Sequence, residues 1–272
     1  MSSLAAATTT TTVHTAGEFL AHWDDTRNFL IGPELVEFDS PMPPDEEIVD
    51  ILRRDENARV QFIGMEADEQ EKAALAERFR TDPLEQIVDF PFSLSHFSLR
   101  DFYAAGEFLQ NFQSEVMIPW RTFLASTGLT WQRCYPIFFI SGKNCHSTYH
   151  VDVSHVAAWQ VHGEKTFIGY KRPEAVNDIQ DIVDDRKSYV SNHPPAGIDP
   201  DDLISYRMAP GDLLWNQLLT PHWVEAGADI AVSINISHGG LAYQGRFCPN
   251  EQVLRARWEE HPDEAWLVDE RY

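Results

Sequence analysis

The chain has 272 residues, with 43 acidic against 21 basic side chains and a formal charge of −22. Apolar residues at 43% and aromatics at 12% suffice for a sizeable core and exclude global disorder. The charge excludes a phosphate-tracking nucleic-acid binder and argues against anionic membrane surfaces, because both need a dense Lys/Arg field; it is compatible with a basic protein or peptide substrate, and equally with a plain solubility role.

Residues 1–16, rich in Thr, carry no Lys or Arg, so they lack the marks of a secretory signal or a mitochondrial transit peptide. They read as a disordered leader. Cys134, Cys145 and Cys248 show no CxxC spacing, which fits a reducing compartment and a cytoplasmic protein. No apolar run approaches the ~20 residues of a membrane span. Residues 17–272 read as a single domain: helical over about 17–130, β-rich over about 131–240, helical again over about 250–262.

In the first part, Asp45 is the expected N-cap of a helix whose apolar positions are Ile48, Ile51 and Leu52. A second amphipathic helix runs from Asp68 to Arg80 and stops before Pro83. Ser98 and Asp101 resemble a capping box, with Phe102, Phe108, Leu109 and Phe112 continuing a helix after it. From Gln132 the texture is that of strands. CYPIFFISG is one; VAAWQVHGEKTFIGY reads as a hairpin turning at Gly163-Glu164. Pro173 to Asp202 reads as a long polar loop, and strands resume at LISYRMAPGDLLW and DIAVSINISH. Asn250 is the expected cap of the last helix, on which Leu254 and Trp258 offer a surface to a second copy, making a homodimer. Helices, then short strands, then a helix fit a mainly β fold, a sandwich or jelly roll with helical additions.

Four of the eleven histidines lie between His146 and His162. His150 and Asp152 are two apart, so an extended strand projects both to one face. His222, 72 residues later, is the best third partner. Two imidazoles and one carboxylate on one face of an octahedron hold Fe(II) and leave three adjacent positions open. These can take a chelating cosubstrate and then O2. His155 falls on the opposite face, His146 in a loop and His162 at a turn, so all three read as structural or as outer-layer support.

If the cosubstrate is 2-oxoglutarate, its far carboxylate needs a cation. Of Lys72, Lys143, Lys165, Lys171 and Lys187, Lys165 lies just past the turn that follows the His150–Asp152 region. On the strand Asp229–Ser237, bulky Ile230, Val232, Ile234 and Ile236 alternate with Ala231, Ser233, Asn235 and Ser237, a small polar face suited to a ligand cavity.

His150-Val151-Asp152, Gly163-Glu164-Lys165, and Pro210-Gly211-Asp212 ahead of His222 resemble the JmjC and cupin-like Fe(II)/2-oxoglutarate oxygenases, in particular the group of the hypoxia-inducible-factor asparaginyl hydroxylase. Lys165 stands fifteen residues after His150, as the carboxylate-binding lysine does in that group, and Ser147 matches its Thr/Ser three residues before the first histidine. Asn235 matches its pocket asparagine in kind. The likeness covers Tyr135 to His238, and LLWNQLLTPH departs from the usual Ile-Pro and Trp before the last histidine. The resemblance implies a double-stranded β-helix, cupin-like core. It further implies hydroxylation of a C–H bond in a protein side chain, amino acid or small metabolite, or demethylation through hydroxylation, with succinate and CO2 as coproducts. A metal cupin that binds its substrate directly, without 2-oxoglutarate, and a non-catalytic jelly-roll binding module are the alternatives. Second-layer support for the imidazoles is expected from Trp223, Glu225 or His155.

Overall fold

The computed structural model describes residues 10–63 and 68–265. Residues 1–9 of the expected leader lie outside this set, but its end is ordered. Thr12–Val13 form a strand (β1), and Thr15 caps the helix Ala16–His22 (α1) with a capping box closed by Glu18. The β-branched Thr12 and Val13 pair in parallel with Phe29–Ile31 (β2), which overrides the low-complexity look of the segment. Asp45–Arg53 (α2) starts one residue earlier than expected: Pro44 holds the cap position, and Asp45, Glu46 and Glu47 load the first turn, where the helix dipole favours anions. Arg59–Gln61 (β3) precedes Glu69–Thr81 (α3), which Asp68 caps by accepting the N–H groups of Gln70 and Glu71.

After Ser93–His96 (β4) the expected helix from Ser98 does not form. Arg100–Tyr103 is a 3-10 turn with no side-chain cap, and Gly106 reverses the chain at φ +92. A π-turn over Gln113–Met117 then leads into Ile118–Ser126 (α4). Pro119 has no N–H to offer a carbonyl four residues back, a reason for the irregular joint. Phe102, Leu109 and Phe112 are nonetheless buried.

Leu129–Thr130 (β5), Arg133–Ser141 (β6), His155–His162 (β7), Lys165–Tyr170 (β8), Leu203–Met208 (β9), Leu213–Asn216 (β10), Trp223–Ala226 (β11), Ala231–Gly239 (β12), Ala242–Tyr243 (β13) and Arg246–Phe247 (β14) complete the strands. The large sheet has the order β1-β2-β10-β7-β12-β6-β4-β3, and a smaller antiparallel sheet runs β11-β8-β9. On the free edge of β11 the segment 145–150 adds an extended strip, bridged at His146–Glu225 and His150–His222. A short ribbon, β14-β13-β5, closes one end.

The outer face of the large sheet carries Phe138, Ile140, Ala157, Trp159, Val232, Ile234 and Ile236 into the main core, where Phe19, Ile48, Phe79 and Trp120 from the helices meet them. Its inner face turns to the small sheet: Ala158 and Leu214 pack with Phe167, Ile204, Tyr206 and Met208. The Gly163-Glu164 turn is a corner between sheets rather than a hairpin, because β10 and β12 occupy both edges of β7 and leave β8 to pair with β9 and β11.

The expected loop from Pro173 instead folds two short helices, Pro173–Val176 (α5) and Ile179–Asp184 (α6). Their small apolar side, Ile182 and Val183, is hidden in the sequence by polar neighbours. The last helix is Pro249–Glu260 (α7); Cys248 rather than Asn250 takes the cap, and Asn250 donates to the Leu218 carbonyl at 3.0 Å. Leu254, with Val253 and Trp258 beside it, packs within the chain against Val151, Ile182, Val183, Leu218 and Leu219. Among the described residues no helix is long and apolar enough to cross a membrane.

Gly163 sits at φ +62, and a Cβ there would lie 2.2 Å from the Ile230 carbonyl oxygen. Gly163→Ala combines left-handed strain with overpacking and should cost about 2–4 kcal/mol, read as a lower urea midpoint at unchanged slope.

Candidate metal centre

His150 and His222 face each other as a hydrogen-bonded antiparallel pair: each backbone N–H donates to the other's carbonyl at 2.9 Å. Such a pair projects both side chains to the same side, and the two imidazole rings lie 4.3 Å apart. Asp152 is brought to the same point because its carbonyl accepts the Leu219 N–H at 2.8 Å. Its carboxylate stands 3.9 Å from His150 Nε2 and 3.7 Å from His222 Nε2. One donor atom from each of the three residues lies within 4.8 Å of the others.

The tautomers follow from the partners. His150 Nδ1 meets the Thr148 carbonyl at 2.8 Å and His222 Nδ1 meets the Thr220 carbonyl at 2.9 Å. A carbonyl can only accept, which assigns the proton to Nδ1 and leaves each Nε2 lone pair aimed at Asp152 and at one another. Burial first, and then neighbouring His150, hold the His222 imidazole down to about 4, so it is neutral at neutral pH. Neutral imidazoles with a carboxylate make a donor set that fits a divalent ion of the Fe(II) type. Second-layer support comes from these two backbone carbonyls, each two residues before its histidine, and not from Trp223, Glu225 or His155. Trp223 donates instead to Glu225 at 3.1 Å.

Sequence reasoning missed Asn216. Its amide nitrogen is 3.2 Å from Asp152 Oδ2 and 3.4 Å from His222 Nε2. The available signal was a polar Asn-Gln pair inside the apolar run LLWNQLL.

Lys165 points from the small sheet across the interior and donates to the Phe139 carbonyl at 2.7 Å and to Ser233 Oγ at 2.6 Å. It is 2% exposed, and among the described residues no carboxylate bridges it. Burial lowers its pKa to about 7, with a small opposing contribution from Cys145. Ser233, Asn235 and Ser237 do line the interior, paired across from Phe139, Ile137 and Tyr135 on one side and Gln160, Ala158 and Val156 on the other. Asn235 Oδ1 and Gln160 Oε1 are buried there without a hydrogen-bond partner, a lining that suits a polar guest. Ser147 lies on the strip beside β11, but its hydroxyl is engaged by backbone, accepting from Val224 N–H at 2.9 Å and donating to the Thr148 carbonyl at 2.8 Å.

A second cluster, His155, Cys248 and Glu251, is also buried. There the Leu218 N–H donates to His155 Nδ1 at 3.3 Å, which puts the ring proton on Nε2, facing Cys248 Sγ at 3.4 Å. An Nε2 that carries a proton has no lone pair for an ion, so this cluster is a hydrogen-bonded joint between α7 and the large sheet. His146 packs near His193, and His162 meets the Pro43 carbonyl. A groove of about 420 Å³ on the outer face, lined by Phe38, Met42, Trp159 and His162, lies away from the triad.

The folded pKa of Lys165, about 7, is below the usual 10.5. The unfolded chain therefore binds more protons between these values, and the parent's stability should rise with pH across that window. Lys165→Met should be the more stable protein below about pH 7, with its advantage fading as pH approaches 10.5. Urea midpoints of both proteins across this range test it; a constant difference would mean that the ammonium is not desolvated.

No protein-family model and no curated protein matches the chain in sequence. Among solved structures it is similar to YcfD, a ribosomal oxygenase from Escherichia coli, at a TM-score of 0.52 and 15% identity, with 96% of this chain and 60% of that chain covered. Two further structures of that protein match at 15% identity, covering 94% of this chain and 59% of that one: the complex with cobalt and 2-oxoglutarate at a TM-score of 0.51, and the complex with cobalt and succinic acid at 0.52. The chain thus spans about 60% of the length of these proteins. At this identity the likeness is one of fold, an antiparallel β core flanked by helices and shared with a ribosomal oxygenase.

Proposed function

We propose that the chain is an Fe(II)- and 2-oxoglutarate-dependent oxygenase of the JmjC and cupin-like type. Its two sheets would form a double-stranded β-helix, with the strip 145–150 as the outer strand of the small sheet. The observation that carries the reading is the convergence of His150, Asp152 and His222, two proton-assigned imidazoles and a carboxylate, at the rim of an interior that contains a buried ammonium. A metal site that bound its substrate directly would have no use for that ammonium, whose burial is costly.

His150, Asp152 and His222 hold the ion, His150 and His222 through Nε2. Fe(II), loaded with 2-oxoglutarate and O2, supplies the oxidising chemistry that hydroxylates a C–H bond, with succinate and CO2 as coproducts. Lys165 binds the far carboxylate of 2-oxoglutarate by a charge-assisted bond, and Ser233 steadies the ammonium from the side. Asn235 orients the cosubstrate from the same strand, and Ser147 takes part once its hydroxyl leaves the backbone. The apolar inner residues Phe167, Tyr206 and Leu214 exclude water from this end of the interior. The side chains of His150 and Asp152 are 27% and 33% exposed, whereas that of His222 is at 3%, so substrate approaches from the side of the first two. A charge of −22 suits a basic protein or peptide as that substrate, and the similar YcfD structures are of a ribosomal oxygenase; an amino acid or metabolite presents the same kind of C–H bond.

Asp152→Ala should reduce iron-dependent conversion of 2-oxoglutarate to succinate to background, and full turnover in that variant would rule out this ligand set. Lys165→Ala should weaken 2-oxoglutarate by about 10–100-fold, the range of a lost charge-assisted contact, with iron affinity within about twofold of the parent. Calorimetry on the anaerobic protein separates the two ligands; equal losses would mean the lysine is structural.

A further inference from the structure

Asn216 lies in the segment that departs from the family pattern, and its amide faces the proposed ligands. Its orientation is dictated from outside the site. The backbone N–H of Gln217 can only donate, and it reaches Asn28 Oδ1 at 2.8 Å. This turns the NH2 of Asn28 toward Asn216, whose Oδ1 accepts it at 2.8 Å. The NH2 of Asn216 is then left to face Asp152 Oδ2 and His222 Nε2. Asn28, Asn216 and Gln217 are all buried, at 4%, 1% and 0% exposure, so none of these groups can exchange a partner for water cheaply.

We infer that Asn28 and Asn216 form a relay of positioning residues that presets the Asp152 carboxylate and leaves it one oxygen for the ion. The inference rests on the metal reading above. With Oδ2 held by the Asn216 amide, Oδ1 is the free donor, and ligation through one oxygen keeps the neighbouring coordination positions open. In the same arrangement an N–H of Asn216 lies 3.4 Å from His222 Nε2, a contact that an ion at that lone pair would replace, so the bond to Oδ2 is the one that keeps the carboxylate in place with or without the ion. The relay starts at Asn28, next to β2, which gives the N-terminal region a direct role in the centre. A neighbouring bond between these segments does not reach Asp152: Gln217 Nε2 donates to the His22 carbonyl at 2.8 Å.

The test is cobalt(II) binding to the full-length, metal-free chain, read by calorimetry and by the visible absorption of the bound ion. Asn216→Leu and Asn28→Ala should each weaken cobalt by about 10–100-fold, the usual effect of outer-layer partners, and should change the visible spectrum. Gln217→Met removes a bond of the same clamp that does not point at Asp152; it should lower the melting temperature and leave cobalt affinity within about twofold of the parent. Cobalt affinities within about twofold of the parent in both asparagine variants, or a loss in Gln217→Met equal to theirs, would overturn the relay. Should Asn216→Leu fail to fold, Asn28→Ala, which leaves β10 untouched, decides. A parent chain that takes up no cobalt overturns the metal reading itself, a result distinct from a parent that binds and variants that bind equally well.

Discussion

The two hydrogen bonds exchanged between the backbones of His150 and His222 are the contact on which the centre depends. They place residues 72 apart in sequence directly opposite each other, and the antiparallel ladder does the rest by sending both imidazoles the same way. A shift of one residue would send one of them to the other face. The register is protected on both flanks. The Asp152 carbonyl is tied to Leu219, and Val151 is packed with Leu218, Leu219, Ile182 and Leu254. The segment with α6 and the terminal helix α7 thus support the stretches that carry His150, Asp152 and His222 from behind.

Apolar and polar side chains share the interior between the sheets, with Lys165 across from Met208 and Asn235 across from Ala158. Ala158, Leu214, Phe167, Ile204, Tyr206 and Met208 form its apolar cluster. Among them stand Lys165, Ser233, Asn235, Gln160 and the linked hydroxyls of Ser154 and Ser237. Two unpartnered amide oxygens and an ammonium without a carboxylate are costly in a folded core. Strain of this kind concentrates where a ligand completes the hydrogen bonding, and the stability lost there is offset by the aromatic core around Phe19, Trp120 and Trp215 on the outer face.

The N-terminal region does more than cover the large sheet. His22, Thr26, Arg27 and Asn28 accept or donate along the loop 216–222, with Thr220 Oγ1 donating to the Thr26 carbonyl at 2.6 Å and Gln217 bound at His22 and Asn28. The loop that bears His222 is therefore clamped by residues near the start of the chain. A pair of histidines facing each other only through strand pairing would still be free to tilt; the Nδ1–carbonyl bonds and the Asn216 amide remove that freedom.

Local pattern carried a good part of this protein. Alternation along Asp229–Ser237 separates an apolar from a polar face with no knowledge of what covers either, and the two-residue step from His150 to Asp152 puts both on one side of an extended chain. Helix α3 and its stop before Pro83 are equally local. The sheet partners of β7 and β8 were not legible, since a tight turn between two strand-like runs looks the same whether the strands pair or part at a corner. The folding of Thr12–Val13, α5 and α6, and the loss of a helix after Ser98, were decided by what each segment packs against. The same holds for the supports of His150, Asp152 and His222: Thr148 and Thr220 act through carbonyls that every residue possesses, and Asn28 meets Asn216 across 188 positions of chain. Side-chain periodicity is written in neighbouring residues, whereas a hydrogen bond between distant segments exists only once the packed core has brought them within 3 Å or so of each other.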